Sequence, residues 1–310
     1  MKRISIVVPA HNEEKNVAIL HDKIREIFKD LEGYGYELIF VNDGSTDATQ
    51  CVLEALAKEF QEVKFIEFSR NFGHQMAVKA GLDHAKGDAV ISMDADLQHP
   101  PELIPEMIHQ WENGNDIVYT VRTYPKEISK FKKRTSDLYY HIITKLSDIE
   151  IEKGSGSDYR LIDAQVLTVV KDMNEDNLFL RGLFKWIGFR QVGVAFTAGV
   201  REHGESKYNL KKMIKFAVTG VTAFSVKPLY IATYLGVLFS ILSIIGYSVY
   251  VFYALFTHTE ISGWASLIMT VVFFGGMQLI ILGILGLYIG KIFKQVKNRP
   301  AYIIRSKNTE

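Results

Sequence analysis

The sequence predicts an α/β fold class: a mainly parallel sheet with helices on both faces, followed by a hairpin of two membrane-spanning helices. Short apolar runs alternate with segments of helical periodicity over roughly the first 120 residues, which is the pattern of parallel strands joined by crossover helices. Two long stretches without a charged residue, 229–256 and 262–290, follow toward the C-terminal end.

The elements of the sheet follow one another in order. The first strand is predicted over 4–8, where only Ser5 is polar, and a helix over 14–31, whose apolar residues recur at the spacing of one helix face. Thr46 or Asp47 is expected to cap the second helix, and residues 122–160 are less regular. The same patterns predict further strands over 38–41, 63–68, 89–93 and 116–121 and further helices over 46–60, 74–85 and 102–111.

Composition limits the classes of function. A chain of 310 residues with a net charge of +1 gives no indication of nucleic-acid binding and is long enough for one catalytic domain and a smaller part. Cys51 is the only cysteine, which excludes an intramolecular disulfide and a cysteine metal cluster and fits a reducing compartment. The apolar run at 4–8 is too short for a signal peptide. The domain over 1–208 is therefore expected to stay in the cytoplasm.

The two uncharged stretches are each long enough to cross a bilayer core of about 30 Å. Their connection is short, which predicts a hairpin, and the alternative is a buried hairpin of a soluble protein. The connection over 257–260 contains no Lys or Arg, whereas basic residues flank the outer ends, so both termini are expected in the cytoplasm. The flanking basic residues are Lys227, Lys291, Lys294, Lys297 and Arg299.

Two further segments belong to the predicted membrane part. Residues 209–228 combine spaced lysines with apolar residues, which is typical of an interfacial amphipathic helix. Residues 291–310 are interpreted as a cytoplasmic basic tail. Glycines in the second span allow helices to approach closely, which makes a homo-oligomer possible.

Asp94 and Asp96 directly follow a predicted buried strand. Two carboxylates one residue apart at a strand end can reach one hard cation, and Mg²⁺ or Mn²⁺ prefers such oxygen ligands. A cation there would neutralise the charge that develops on a departing diphosphate. The motif alone is common in surface loops, and its position after the strand makes it informative.

Two other polar segments, 9–14 and 42–47, follow the first and second strands. Gly44 permits a tight turn, and Asp43 presents a carboxylate to the same crevice. By itself the second segment is most simply a turn with a helix cap. Ligands of such sheets bind beyond the carboxyl ends of the strands, so the two segments together favour a nucleotide pocket.

Together these motifs resemble the inverting family-2 glycosyltransferases with the GT-A (Rossmann-like) fold. More narrowly, the chain is similar to the polyisoprenyl-phosphate branch of dolichyl-phosphate mannose synthases and bactoprenol glucosyltransferases. The resemblance extends nearly end to end, and it is carried by the segments 8–13, 41–45, 94–98, 154–161, 181–188, 201–208 and 288–300.

The resemblance implies roles for individual residues. The catalytic candidates are Asp158 and Asp96, and the metal candidates are Asp94, Asp96 and Gln98. The nucleotide sugar is expected to contact Pro9, Ala10, Glu13, Asp43, Asp94, Gln98 and Arg201, with Asp43 accepting from the uracil N–H. Arg122, Arg134 and Lys207 are expected at the acceptor phosphate. Gly204 suggests a mobile loop over the donor, and His99 stands where many relatives carry Asp.

Asp158 is not required to act as a strong base. The acceptor would be a lipid monophosphate, whose second pKa of about 6 leaves the attacking oxygen largely ionised at neutral pH. Asp158 is therefore expected to orient the acceptor or its cationic partners, and the alternative is that it only pairs with Arg160. His74, His84, His109 and His141 show no metal-ligand spacing and are interpreted as ordinary polar residues.

The predicted function is the inverting transfer of a sugar, most simply glucose from UDP-glucose, to a polyisoprenyl phosphate for cell-envelope glycosylation. GDP-mannose and UDP-N-acetylglucosamine are alternative donors. A processive polysaccharide synthase would need more spans and a Gln-x-x-Arg-Trp segment, which this sequence lacks. A membrane-anchored nucleotide-sugar binding or regulatory protein without turnover is the alternative outside enzymes.

Overall fold

The computed structural model describes residues 1–123, 158–173, 175, 178–197, 222, 225–257 and 263–309. In these ranges one eight-stranded sheet has the order β7-β5-β6-β4-β1-β2-β3-β8. All strands except β6 and β8 run in one direction, as the mainly parallel prediction requires. The strands are β1 Lys2–Ala10, β2 Tyr34–Asn42, β3 Val63–Phe68, β4 Ala89–Ser92, β5 Ile117–Thr123, β6 Arg160–Asp163, β7 Gln191–Thr197 and β8 Ile304–Lys307.

Helices cover both faces of this sheet. Ile6 and Val7 are both fully buried, but they belong to separate apolar clusters, because successive residues of a strand point to opposite faces. The helices are α1 Val17–Asp30, α2 Thr49–Glu59, α3 His74–His84, α4 Ile104–Glu112, α5 Ala164–Asp172 and α6 Leu180–Trp186, with a 3₁₀ turn at Pro101–Leu103. The Ile6 cluster includes residues of α1, α2 and α4, and the Val7 cluster includes residues of α3, α5 and α6.

The first two helices begin later than their periodicity predicts. The backbone N–H of Glu14 donates to Asp47 Oδ2, and the N–H of Ala48 donates to Glu14 Oε2 at 3.0 Å. These bonds hold the two loops against each other at the positions where the first helical turns were expected. Asp47 Oδ1 accepts from the N–H of Thr49 at 3.0 Å, so Asp47 still serves the start of α2, although Ala48 occupies the N-cap position.

The C-terminal segment contains a strand that the predicted basic tail over 291–310 did not include. β8 pairs antiparallel with β3, which places the end of the chain at one edge of the sheet. Tyr302 stacks on Phe68, with ring centroids 5.1 Å apart, and its hydroxyl donates to Asp83 at 2.8 Å. Asn308 Oδ1 accepts from the N–H of Phe65 at 2.6 Å. The chain therefore returns to the sheet after its second long apolar helix.

Deleting residues 301–310 is expected to lower the Tm of the detergent-solubilised chain by about 5 °C. The loss of Tyr302 exposes the Phe68 ring, and the loss of β8 leaves β3 as an unpaired edge strand. Thermal unfolding of the full chain and of the shortened chain measures this difference. Deleting only residues 309–310 preserves β8 and serves as the control. A Tm that is equal in all three chains would show that β8 does not stabilise the sheet.

Two helices are long and apolar enough to cross a membrane: α7 Lys227–Thr257 and α8 Trp264–Val296. They contact each other through Phe239, whose ring meets Phe273 at a centroid distance of 5.4 Å. Large apolar side chains along both helices are exposed, and such a surface requires an apolar environment of the kind that a bilayer provides. Most of the predicted interfacial helix over 209–228 lies outside the described residues.

Candidate active site

The polar segments that follow β1, β2 and β4 meet in one cavity at the carboxyl ends of these parallel strands. This is the arrangement that the sequence predicts for ligand-binding loops of such a sheet. The cavity also receives His74, at the start of α3, which the sequence analysis had set aside. Its lining residues are Pro9, Ala10, His11, Glu13, Asp43, His74, Ala77, Asp94, Ala95 and Asp96.

Hydrogen bonds hold the first two loops of the cavity together. Asn12 has a φ of 60°, a conformation that Asn adopts more readily than most residues. Its N–H donates to Ser45 Oγ at 2.9 Å, and its side-chain oxygen accepts from the N–H of Thr46 at 2.8 Å. The N–H of Glu13 donates to Thr49 Oγ1 at 2.9 Å. The loops after β1 and β2 therefore form one wall of the site.

Gly44 in this wall has no room for a side chain. Its φ is 62°, and an added Cβ would lie 2.4 Å from the carbonyl carbon of Arg70. Gly44→Ala is expected to abolish nucleotide binding or prevent folding, because backbone atoms of the neighbouring loop would have to move. Gly33 has a φ of 84° with nothing within 4 Å, so Gly33→Ala is the matched control for backbone strain alone. Thermal unfolding and UDP binding of both variants measure the difference, and equal behaviour would contradict the steric account.

Asp43 holds the loop that leads into α3. Its carboxylate accepts from the N–H of Phe72 at 2.6 Å and from the N–H of Gly73 at 3.0 Å. Burial raises the pKa of Asp43 above its ordinary value, while these backbone hydrogen bonds oppose the rise. Asp43 thus has a structural task besides the uracil contact that the sequence analysis assigned to it.

Asp94 carries an oxygen that lacks a hydrogen-bond donor. Its Oδ1 atom is buried without a hydrogen-bond partner, and the nearest described cationic group is Nε2 of His74 at 3.6 Å. The Asp94 N–H donates to Nδ1 of His99 at 2.9 Å, so the neutral His99 ring carries its proton on Nε2, which lies 3.6 Å from Asp94 Oδ2. Asp94 lines the cavity, and a carboxylate oxygen without a hydrogen-bond donor there fits a cation ligand.

Asp96 and Glu13 add negative charge to the same cavity. Burial raises the pKa of Glu13 above its ordinary value, a hydrogen bond from Asn16 opposes this rise, and the charges of Asp96 and Asp94 reinforce it. Asp96 Oδ1 accepts from the backbone N–H of Gln98 at 3.1 Å. The cavity therefore brings several carboxylates close together, and a bound divalent cation would stabilise their negative charges.

The described residues do not supply a complete set of metal ligands. No group of three or more His, Cys, Asp or Glu side chains in these ranges is arranged to hold a metal ion. Asp94 and Asp96 alone still fit Mg²⁺ or Mn²⁺, because Mg²⁺ commonly binds one or two protein carboxylates together with substrate phosphates and water. Gln98 contributes a backbone hydrogen bond to Asp96, and its role as a metal ligand stays a prediction.

Asp158 contacts the same Nε2 atom of His74 that lies near Asp94, and it is held as a carboxylate. Arg181 Nε donates to its Oδ1 at 2.9 Å, and Arg181 Nη2 donates to its Oδ2 at 3.0 Å. Oδ2 also lies 3.1 Å from His74 Nε2 and accepts from Gln75 Nε2 at 3.1 Å. Burial alone would raise the pKa of Asp158, but Arg181 and His74 hold this pKa well below its ordinary value.

The comparison with known families decides the class of this site. The family model described as "Glycosyl transferase family 2" matches residues 5–168, which contain most of β1, all of β2 to β4 and the carboxylates Asp43, Asp94, Asp96 and Asp158. The chain belongs to glycosyl transferase family 2. It is therefore a glycosyltransferase, as the sequence motifs predicted.

Relatives match this glycosyltransferase over almost its whole length. The uncharacterized glycosyltransferase YkcC of Bacillus subtilis is 44% identical over 301 residues, covering 97% of this chain and 93% of the relative. The SfII prophage-derived bactoprenol glucosyl transferase of Shigella flexneri is 39% identical over 306 residues, covering 99% and 98%. Among solved structures, glucosyl-3-phosphoglycerate synthase from Mycobacterium tuberculosis aligns with a TM-score of 0.48 and 17% identity over 72% of this chain and 79% of that chain.

The structure of the glycosyltransferase adds a partner for Asp158 and leaves other predictions outside the described residues. Arg181 forms a bidentate ion pair with Asp158, whereas the alternative interpretation named Arg160. The Arg160 guanidinium lies over the Phe184 ring, 4.6 Å from its centroid; burial lowers the pKa of Arg160, and the charge of Asp158 opposes this effect. The backbone of Arg122 belongs to the carboxyl end of β5. Arg134, Arg201, Gly204 and Lys207 lie outside the described residues.

Sequence reasoning missed three residues of the site: His74, Gln75 and Arg181. His74 was judged by metal spacing alone, although its Nε2 lies within 3.6 Å of two acidic side chains. The signal that would have found it is its position, since α3 begins just after the carboxyl end of β3, where ligand-binding loops gather. Arg181 stood in a motif of the resemblance without an assigned role.

Proposed function

We propose that this glycosyltransferase transfers glucose from UDP-glucose to a polyisoprenyl phosphate with inversion and releases UDP. One observation carries the proposal: a single imidazole, that of His74, lies 3.6 Å from Asp94 and 3.1 Å from Asp158. We assign the donor diphosphate to the Asp94 side and the acceptor to the Asp158 side, and under this assignment the two sites are adjacent. The bactoprenol glucosyl transferase that matches 99% of the chain supports this choice of acceptor and sugar.

The donor would lie with its nucleoside toward Asp43 and its diphosphate toward Asp94. Pro9, Ala10 and Glu13 line the same cavity, and they and Arg201 are proposed to contact the donor. A divalent cation bound by Asp94 and Asp96, with Gln98 beside them, would neutralise the charge on the departing UDP. The buried Oδ1 of Asp94, which has no hydrogen-bond partner, supports this assignment.

The acceptor needs orientation more than it needs a base. A phosphate oxygen of the lipid forms a bond to the anomeric carbon while the bond from that carbon to the diphosphate breaks. With its pKa held well below the ordinary value, Asp158 stays ionised at neutral pH and does not hold the proton of a reacting group. Asp158 instead orients Arg181 and His74 at the acceptor side. Arg122, Arg134 and Lys207 are proposed as further contacts of the acceptor phosphate.

The membrane helices would bring the lipid acceptor to this site. We place α7 and α8 across the membrane as a hairpin, with the catalytic domain and both termini in the cytoplasm, because Lys and Arg flank only the outer ends of the pair. Residues 209–228 are proposed to lie in the membrane interface. The lipid phosphate would then reach the cavity while the polyisoprenyl chain stays in the bilayer.

The donor is tested with membranes that contain the protein, undecaprenyl phosphate, Mg²⁺ or Mn²⁺, and one labelled donor at a time. UDP-glucose is expected to label the organic phase, whereas GDP-mannose and UDP-N-acetylglucosamine are not. Asp96→Asn is expected to abolish the label, and Asp22→Asn, at a side chain that is 76% exposed on α1, is expected to preserve it. Label from another donor would correct the sugar, and absence of label from every donor would overturn the proposal.

A further inference from the structure

The start of α3 joins the two halves of the site. Phe72 and Gly73 donate their N–H groups to Asp43, at the nucleotide end of the cavity. The next two residues, His74 and Gln75, contact Asp158. Four consecutive residues thus connect the carboxylate after β2 to the carboxylate before β6.

The side chain of Gln75 makes two hydrogen bonds, one to Asp158 before β6 and one to the start of α6. Its Nε2 donates to Asp158 Oδ2 at 3.1 Å, and its Oε1 accepts from the N–H of Leu180 at 3.1 Å. Leu180 is the first residue of α6, and its N–H belongs to the first turn, which has no partner within the helix. Phe179 at the N-cap provides no side-chain hydrogen bond. Gln75 therefore caps α6 from another helix.

The residue after Leu180 is Arg181, the bidentate partner of Asp158. A side chain that holds both Asp158 and the start of α6 fixes the distance between the two members of this ion pair. The amide of Gln75 is suited to this task because it donates through nitrogen and accepts through oxygen at once. A carboxylate at position 75 would keep the acceptor and lose the donor.

We propose that Gln75 is a positioning residue for the acceptor side of the site, where it holds Asp158 and Arg181 in one reactive geometry. This inference rests on the proposed function insofar as it assigns this side of the cavity to the acceptor. Gln75 acts through Asp158 and Arg181 and does not itself contact the reacting atoms. Neither the resemblance nor the family match assigns a role to Gln75.

The test compares Gln75→Leu and Gln75→Glu with the wild-type chain in lipid-linked glucose formation. Both variants are expected to lower kcat by about 10-fold to 100-fold, since a small misplacement of reacting groups has effects of this size. The KM for UDP-glucose and the dissociation constant for UDP are expected to change by less than about twofold, because Asp43 and Asp94 keep their contacts. Gln110→Leu is the matched control, since the Gln110 side chain donates to Glu106 within α4 and does not line the cavity.

Gln75→Glu separates positioning from packing. Glutamate has almost the same shape, but it lacks the N–H donor and places a second carboxylate beside Asp158, so the positioning role requires that Gln75→Glu lose activity. Near wild-type kcat in Gln75→Glu would overturn the inference. A parallel fall of Tm, UDP binding and kcat in both variants would also overturn it, because that pattern indicates general misfolding.

A structure of Gln75→Leu gives a readout that does not depend on the lipid reaction. The distances from Arg181 Nε and Nη2 to the Asp158 oxygens, 2.9 Å and 3.0 Å in the wild type, are expected to lengthen. Unchanged distances would overturn the positioning role even if activity were lost. If the wild-type chain forms no lipid-linked sugar, the proposed function fails, and these distances alone decide the role of Gln75.

Discussion

Asp94→Asn is expected to lower kcat/KM for lipid-linked sugar formation by about 100-fold to 1000-fold, the size of effect seen when a group that stabilises developing charge is removed. The Oδ1 atom of Asp94 is buried without a hydrogen-bond donor, and an amide at this position would bind a cation more weakly. Removing the metal from the wild-type chain with a chelator is expected to cause a loss of similar size.

The two losses are expected not to add. Chelation of Asp94→Asn should reduce its activity little further, because both changes remove the same interaction. Steady-state kinetics of the wild type, Asp94→Asn and the control Asp22→Asn, each with and without chelator, measure this. Full activity of Asp94→Asn, or a chelator effect that is equally large in this variant and in the wild type, would contradict a metal site at Asp94.

Arg181→Leu is expected to destabilise the chain by about 3–5 kcal/mol at neutral pH, because it leaves a buried carboxylate without its main partner. Only 6% of the Asp158 side chain is exposed, and 28% of Arg181. The same change is expected to lower kcat strongly, since Asp158 loses its bidentate cationic partner at the acceptor side. Arg190→Leu, at an exposed position, is the control for loss of a positive charge.

The pH dependence of Arg181→Leu follows from the pKa of Asp158. In the wild type this pKa lies well below its ordinary value, so the pair contributes stability above the unfolded pKa of about 3.9 and loses it as the pH falls through the folded pKa. In Arg181→Leu the folded pKa of Asp158 rises, and the stabilising contribution is small at every pH.

The difference in Tm between the wild type and Arg181→Leu is therefore expected to be largest at neutral pH and to narrow as the pH falls toward the unfolded pKa of Asp158 and below it. Thermal unfolding in detergent from neutral to acidic pH measures this difference. A difference that stays constant, or that widens in acid, would show that the loss of stability does not arise from the charge of Asp158.

Much of the fold was predictable because its main strands are buried on both faces. Such strands appear in the sequence as short apolar runs, and the residues around Ile6 and Val7 are an example. The meeting of the loops after β1, β2 and β4 was predictable as well, since the carboxyl ends of parallel strands share one edge. Asp43, Asp94 and Asp96 accordingly line one cavity.

Other features depend on contacts between distant parts of the chain. β8 is four residues long and includes Arg305 and Lys307, so it carries no apolar run, and its pairing with β3 is specified by tertiary contacts such as that of Tyr302 with Phe68. The partner of Asp158 was missed for the same reason. Arg181 is 23 residues away, and its approach requires the fold that places α6 beside β6.

The role of His74 and Gln75 could not be read from spacing either. The two residues contact Asp158 across 84 and 83 positions of the sequence. Only the position of α3 next to the end of β3 gives a hint, and that hint appears once the strand order is known. Sequence patterns located the cavity, whereas the connections between its carboxylates required the structure.

This glycosyltransferase is expected to transfer the sugar alone to a polyisoprenyl phosphate. Incubating the purified chain with UDP-glucose, undecaprenyl phosphate and Mg²⁺ or Mn²⁺, and identifying both products by mass spectrometry, tests this transfer. We expect one UDP for each lipid formed, and a lipid that carries one hexose on its single phosphate. Release of UMP with a lipid diphosphate sugar, or binding of UDP-glucose without either product, would contradict it.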